Sequence, residues 1–523
     1  MLGWGRGSEV PDLLKNLENS KNGGQGPPCM DKKCWPGASA GLFFRGRAIT
    51  SYHFIGIGGI GMSGLAELLV RQGHQVSGSD AAESAITRRL QDLGVCVYKG
   101  HRAENLGTAE VVVHTTAVKE DNPELAAARA SGRTVLRRGE MQARVMEGYT
   151  QVAVTGAHGK TSTTATTAAV LRAGGLDPSV LVGAVWDNLG SNAILGQGKY
   201  FVAEADESDA SFLHLSPQVA VITNIDREHL DFYRDLDHIR DTFARYLAAL
   251  SPEARIVAWR DDPYLAPLLR ERPQRTITYS LAPGADLVAT DLQVSGLGCR
   301  YRLWQAGKPL GTIRLPLAGR HYVLNSLAAC AVGALLSLPF PVWQQGLANL
   351  GQIHRRCQVK GEARGILVMD DYGHPPTEIA ATLAALAQAL PERRLVVAFQ
   401  PHRYSRTKAL LPEFFPVFEQ AHLVFITEIY SAGEPPLPGI SGIDLFKGVK
   451  QLHPQVDFVE DLAKFPETLV ACLRPGDLFL TLGAGDIWKV GEELLQRLGH
   501  PTASPNSQST GDSPCRAPRA LHA

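Results

Sequence analysis

Residues 152–171 read VAVTGAHGKTSTTATTAAVL: a β-branched run, a turn bounded by glycines, and then Lys160, Thr161 and Ser162 opening a helical stretch. A strand, loop and helix in that order make a phosphate site, because backbone amides of the loop cradle the phosphates. The lysine reaches the outer phosphates, and the hydroxyl that follows ligates magnesium. Gly156 stands three positions before Gly159 where the usual motif has five, so this is a variant phosphate loop. Gly156, Ala157, His158, Gly159, Lys160, Thr161 and Ser162 are the residues expected to surround ATP.

Magnesium also needs a carboxylate from a nearby strand end. FVAEADESDASFL (201–213) offers Glu204, Asp206, Glu207 and Asp209. VAVITNIDREHLDFY (219–233) supplies another strand, with Asn224 at its end and His229 and Asp231 beyond; His229 could hold a metal as neutral imidazole or simply cap a helix.

Working outward, β-branched runs keep alternating with amphipathic stretches, and YHFIGIGG at 52, QVAVTGAHG at 151 and GILVMDDYG at 365 each open a new unit. That alternation predicts an α/β chain of parallel sheets covered by helices, with ligands at the carboxyl ends of strands. Three domains are expected: a Rossmann-like one over 50–148, a central P-loop ATPase domain over 149–352 and a second Rossmann-like one over 353–498. Residues 1–49 and 499–523 read as disordered extensions, rich in Gly, Pro, Ser and Asn.

In the first unit, HFIGIGGIGMSGLAELLVRQGHQVSGSD (53–80) carries Gly56, Gly58 and Gly61 in GxGxxG spacing, with Gly59 and Gly64 beside them and Asp80 ending the second strand. Glycines there let backbone approach a diphosphate, and the acid suits a ribose. A nicotinamide dinucleotide and a UDP-sugar both present those groups. AEVVVHTTAVKEDNPEL (109–125) brings Thr115 and Thr116 to the same crevice. In the third unit, DDYGHPPTEI (370–379), FQPHRYSRTKAL (399–410) and TEIYSAGEPP (427–436) each follow an apolar strand. His402, Arg403 and Arg406 form a basic cluster suited to a carboxylate or phosphate.

Composition excludes several classes. Lys plus Arg and Asp plus Glu both total 52, so no net charge draws the chain to nucleic acid or an acidic membrane. The cysteines at 29, 34, 96, 299, 330, 357, 472 and 515 lack paired spacing, which fits a reducing cytoplasm. Tyr322–His354 carries no Asp, Glu, Lys or Arg, but Asn325, Pro339, Pro341, Gln344, Gln345 and Asn349 interrupt it, predicting a buried helix pair and no membrane span.

GAHGKTST (156–163), EADESDASF (204–212), TNIDREHLDFY (223–233) and GRHYVLNSLAA (319–329) together resemble the central domain of the Mur ligases, and the likeness runs from about residue 50 to 497. The resemblance implies ATP-dependent joining of a carboxylate to an amine in peptidoglycan precursor synthesis, by a monomer or homodimer. By it, Thr161 and Glu204 ligate Mg2+, His229 holds a second ion, and His321 and Asn325 contact the adenine, while Lys160, His229 and Arg356 carry the chemistry. GIGGIGMSGLAELL and SGSD resemble the alanine-adding branch, which implies UDP-N-acetylmuramate on Gly58, Gly59, Gly61, Ser79, Asp80, Thr115 and Thr116, and L-alanine among Tyr372, His374, Arg403 and Arg406. The murein tripeptide ligases are the alternative branch; they show GICGTFMGG in this turn, against Gly59, Ile60 and Ser63 here. Three departures stand out: Ala157 for the usual threonine, Pro375 for a second histidine, and Cys357 after Arg355 and Arg356 where the branch has phenylalanine.

Overall fold

The computed structural model describes residues 43–44, 47–48 and 50–499. The expectation of disorder for 1–49 and 499–523 falls outside these, except where Phe43–Phe44 pairs with Arg47–Ala48 and where Gly499 ends a helix. Cys29, Cys34 and Cys515 also lie outside them.

The α/β class is what the chain adopts, as three sheets in succession beyond the Phe43–Ala48 pairing. In the first, Ser51–Ile55 lies between Gln75–Asp80 and Val111–His114, with Cys96–Lys99 and Thr134–Arg137 at the edges, all parallel. Val111–His114 is buried along its whole length, as a strand covered on both faces must be. Chain order reverses on either side of Ser51–Ile55, which opens a crevice at the carboxyl ends and sets the glycine turn there.

A buried carboxylate underpins that crevice. Glu124, in the first turn of the helix Pro123–Ala130, accepts from Ser79 Oγ at 2.5 Å and Asn105 Nδ2 at 2.6 Å, with His101 Nδ1 at 3.1 Å and His53 Nε2 at 3.7 Å. Burial alone would raise its pKa, but the nearby His53 and the bonds from Ser79 and Asn105 prevail and hold it at about 2. Because the folded value lies below the ordinary 4.5, this stabilisation is complete above that pH and disappears as pH falls toward about 2. Glu124→Gln is expected to cost about 2–4 kcal/mol of unfolding free energy at neutral pH, and less in acid. Denaturant melts at pH 7 and pH ~4 check this; equal losses at both would contradict it.

The central sheet is built around Thr150–Thr155, with Tyr200–Glu204 on one side and Val219–Ile222 on the other. Ser179–Trp186 and an antiparallel Ser191–Ile194 extend it one way; Arg255–Trp259, Thr276–Ser280 and Leu287–Ser295 extend it the other. The sheet then departs from the all-parallel expectation: Leu287–Ser295, Gly298–Gln305 and Lys308–Leu315 form an antiparallel meander. Alternating burial along Gly298–Gln305 and positive φ at both Ala306 (48°) and Gly307 (75°) are the marks of a tight primed hairpin. Helices Lys160–Ala173 and Arg320–Leu335 pack together on this sheet, buried over most of their length. Arg320–Leu335 and Phe340–Ala348 form the helix pair in the uncharged stretch, and no helix among the described residues is long and apolar enough to cross a membrane.

In the third sheet, Ile366–Asp371, Asp477–Leu482, Arg394–Phe399, Leu423–Thr427 and Val456–Val459 run parallel in that order. It starts one strand before GILVMDDYG, because Gln358–Ala363 adds an antiparallel edge.

Candidate functional site

Strand order puts Glu204 and Thr223–Asn224 on opposite sides of the loop that follows Thr155. The loop needs its glycines: Gly156 (φ 125°) and Gly159 (φ 81°) are left-handed, and a Cβ would strike Thr223 Oγ1 at the first and Asn325 Oδ1 at the second. Ala157 N donates to Asn224 O (3.1 Å) and His158 N to Asn224 Oδ1 (2.8 Å), so Asn224 shapes the loop. Only the backbone of Ala157 bonds here, so the missing threonine changes no contact seen in the loop.

Lys160 Nζ folds over this loop, donating to Gly156 O (2.7 Å), Ala157 O (3.1 Å) and Glu207 Oε1 (2.8 Å). Burial works against its charge, but Glu207, Asp206 and Glu204 more than compensate and raise its pKa. Thr161 is buried beside Glu204, whose own pKa is raised by burial against the opposing pull of the Gly183 amide, Lys160, Arg356 and Thr161. Ser162 is buried within the helix. His229, at φ 55°, sets Nε2 3.4 Å from Glu207 Oε1, while Glu207 Oε2 is buried and takes no hydrogen bond from the protein. A divalent cation fits this donor set. Thr161 Oγ1 and Glu204 offer hard oxygens, and Glu207, whose Oε2 is bare, sets its Oε1 beside His229. Among the described residues no group of three or more His, Cys, Asp or Glu forms a closed cage, so phosphate and water would complete the shell.

Asn325 presses on Gly159 from the helix Arg320–Leu335. His321, one turn earlier, packs against Tyr322 at 4.2 Å between ring centres, and burial, aided by Arg356, lowers its pKa to about 4.

The third sheet presents its strand ends to the same loop. The guanidiniums of Arg355 and Arg356 both lie over the Tyr372 ring, each 5.1 Å from its centre. Arg355 bonds Asp370 (3.0 Å) and the carbonyls of Gly483 and Ala484, which gives it a structural task. Arg356 turns the other way, donating to Thr161 Oγ1 at 3.3 Å, and its charge is kept, against burial, by Glu378, Asp371 and Glu204. Cys357 fills the phenylalanine position; it is buried, and its amide bonds Asp371 Oδ2 at 2.7 Å. His374 packs edge-on against Tyr372 (5.2 Å) and His402 (5.4 Å), and His402 stacks on Tyr430 (5.7 Å). Burial first, then Arg406, lowers both imidazoles, His402 to about 3. Pro375 is the N-cap of the helix Pro376–Ala389.

Two groups of predicted site residues are engaged with the protein itself. Arg403 and Arg406 are not an open fork: Arg403 pairs with Asp231 (2.5 Å) and Arg406 with Glu228 (3.2 Å), because the helix Tyr404–Ala409 and its cap face the segment after Val219–Ile222. Ser79 is also turned away from the crevice. Its hydroxyl is committed to Glu124 and His101, and only its carbonyl serves the glycine turn, accepting from Gly56 and Ile57 at 2.8 and 3.0 Å.

At the crevice itself, Asp80 Oδ2 accepts from Gly58 N at 2.9 Å, and a Cβ on Gly58 would come within 2.8 Å of that oxygen. Gly59 caps the helix Ile60–Arg71 with no side-chain bond to its first amides. Thr115 borders Gly56, and Thr116 is exposed in the turn after Val111–His114. A Cβ on Gly61 would lie 3.2 Å from Arg138 Cδ, and Arg138 reaches Asp206 at 2.7 Å. Arg138 thus joins the glycine helix to the acidic loop, and sequence reasoning missed it, together with Glu207 as partner of Lys160. It placed His158 in the loop but missed the task of its ring, whose nitrogens meet Asp226 (2.7 Å) and Glu378 (3.2 Å), residues 68 and 220 positions away. No local pattern signals pairings at such separations.

Known proteins match all three units. The chain fits the description "Mur ligase family, catalytic domain" over residues 51–150, "Mur ligase middle domain" over 154–333 and "Mur ligase, glutamate ligase domain" over 355–485. It is 47% identical over 462 residues to the UDP-N-acetylmuramate--L-alanine ligase of Syntrophobacter fumaroxidans, covering 88% of this chain and 98% of that one. The enzyme of that name from Desulfatibacillum aliphaticivorans is 48% identical over 446 residues, covering 85% and 98%. Among solved structures, a UDP-N-acetylmuramate-alanine ligase from Thermotoga maritima superposes with a TM-score of 0.74 at 29% identity, covering 86% of this chain and 98% of that one. Matched by the family's descriptions in all three units and along nearly the whole length of such relatives, the chain belongs to the Mur ligase family.

Proposed function

We propose that the chain joins L-alanine to the lactyl carboxylate of UDP-N-acetylmuramate, using ATP, as a step of peptidoglycan precursor synthesis. The observation that carries this is the meeting of Lys160, Thr161 and Glu204 from the central sheet with Arg356, whose guanidinium crosses from the third unit to Thr161. A carboxylate cannot expel oxide at neutral pH, so it must first be activated. One carboxylate oxygen attacks the γ-phosphorus, ADP leaves, and an acyl phosphate forms. The amine of L-alanine attacks its carbonyl carbon, and the adduct collapses to amide and phosphate.

Gly156, Ala157, His158 and Gly159 shape the bed for the phosphates, Lys160 brings its charge to the outer ones, and Arg356 offsets charge spreading over the transferring group. Thr161 and Glu204 would hold magnesium and His229 a second ion, which would add further neutralisation of that charge. Asn325 and His321 line the side of the loop where the adenine would rest. Gly58, Gly59, Gly61, Asp80, Thr115 and Thr116 receive the UDP portion, with Arg138 between it and the reacting centre. Tyr372 and His374 flank the incoming amino acid, whose carboxylate would take Arg403 or Arg406 from Asp231 or Glu228. Location in the cytoplasm and a monomer or homodimer complete the proposal.

Phosphate release tests it. Release is expected only when ATP, UDP-N-acetylmuramate and L-alanine are all present; steady release without the amino acid would defeat the ligase function. Arg138→Ala should raise the KM for the UDP-sugar about tenfold, the scale of one charge-assisted contact, and leave that for ATP near wild type. An unchanged UDP-sugar KM removes Arg138 from the site.

A further inference from the structure

The chemistry above uses the backbone of His158 and leaves its side chain without a task. That imidazole is gripped at both nitrogens: Nε2 by Asp226 Oδ2 (2.7 Å), from the loop after Val219–Ile222, and Nδ1 by Glu378 Oε1 (3.2 Å), from the helix Pro376–Ala389 of the third unit. Burial opposes its charge, yet the two carboxylates push it up to about 10, so both nitrogens donate at neutral pH. Thr377 Oγ1, next to Glu378, also donates to Asp226 Oδ2 at 2.9 Å. Two adjacent residues of the third unit therefore hold the phosphate loop, one through His158 and one through Asp226. Glu378 is also among the charges that keep Arg356 ionised, and His374 lies 3.9 Å from it.

We propose that His158 is a positioning residue that ties the phosphate loop to the third unit through Glu378 and Asp226, so that the loop holds its phosphate-binding shape only when that unit is docked. The amino-acid side of the site thereby controls the nucleotide side, with Glu378 on a helix of the third unit and the loop in the second. This deepens the nucleotide role given to the loop above and rests on it.

Simple electrostatics and this tie predict opposite signs. Glu378→Gln removes a negative charge from the neighbourhood of a polyanion, which by Coulomb attraction alone should tighten nucleotide binding. If Glu378 holds the loop in shape, binding weakens instead. The test is equilibrium titration of the full chain with a fluorescent ATP analogue and magnesium, without other substrates, for wild type, Glu378→Gln, His158→Gln and the double variant. Each single change is expected to weaken binding about tenfold, the scale of one charge-assisted hydrogen bond, and the double variant to be no weaker than His158→Gln. Wild-type or tighter binding by Glu378→Gln, or losses that multiply in the double variant, would overturn the proposal.

Should either variant fail to fold, Thr377→Val replaces it, since Thr377 is exposed. Faster amide hydrogen exchange in residues 156–160 is then expected, and exchange identical to wild type would overturn the proposal. A wild-type chain that binds the analogue but forms no amide would remove the ligase function and leave this inference standing. A chain that ligates normally while Glu378→Gln binds at least as tightly as wild type would do the reverse.

Discussion

Lys160→Met is expected to lower kcat for amide formation by about a thousandfold or more, the scale set by removing one preorganised charge from a phosphoryl-transfer site. Lys160 Nζ is bonded to two loop carbonyls and to Glu207, so its charge is fixed at the loop rather than swinging in solvent. Methionine keeps the bulk and loses the charge and all three bonds. A second consequence follows from Glu207, which is buried and loses its ion-pair partner at 2.8 Å. Breaking a buried pair from one side costs about 3–5 kcal/mol, so the variant should also be less stable. Adding Glu207→Gln removes the stranded charge. The double variant should recover much of the stability and none of the turnover, which unfolding curves and phosphate release measured together would show. Turnover restored along with stability would mean that Lys160 supports the fold and not the chemistry.

Arg356→Lys is expected to lower kcat by about a hundredfold, although it keeps the charge. The planar guanidinium lies against Tyr372 at 5.1 Å while one nitrogen reaches Thr161 at 3.3 Å, and an ammonium cannot stack and donate in that geometry. Glu378, Asp371 and Glu204 all help to keep Arg356 charged, so a shifted cation would leave three carboxylates imperfectly screened around the place where more negative charge must gather. A fall confined to kcat, with KM for the UDP-sugar unchanged, is the expected pattern in steady-state kinetics. Wild-type turnover in Arg356→Lys would remove the arginine from the reaction.

The features legible in the sequence are those encoded locally. The phosphate loop could be read because strand, glycines, lysine and hydroxyl lie within a dozen or so positions, and the acidic cluster at 204–209 because it follows an apolar strand; only the resemblance singled out Glu204. The parallel class followed from the same alternation, and the uncharged stretch broke into two helices where Pro339 and Pro341 stand. The meander Leu287–Leu315 escaped because its hairpin signal, Ala306–Gly307, lacks the usual Asn or Asp, although both residues take positive φ. Long-range charge was the harder matter. A cluster such as Arg403 and Arg406 shows its own sign but not the Asp231 and Glu228 that a facing loop brings against it. His158 looked like part of the phosphate bed, yet its ring is held by residues from two other segments. Ser79 was placed at the crevice by the resemblance of SGSD, which carries no sign that strand pleating sends its hydroxyl to Glu124.

Everything in the proposed chemistry depends on the substrate carboxylate taking the γ-phosphoryl group at the Lys160 loop before the amine arrives. Ligation with UDP-N-acetylmuramate carrying ¹⁸O in its lactyl carboxylate tests this directly, because the attacking oxygen leaves with phosphorus when the amide forms. One labelled oxygen in each inorganic phosphate, and none in the nucleotide, is the predicted result. Label appearing in AMP, or phosphate released without label, would contradict it.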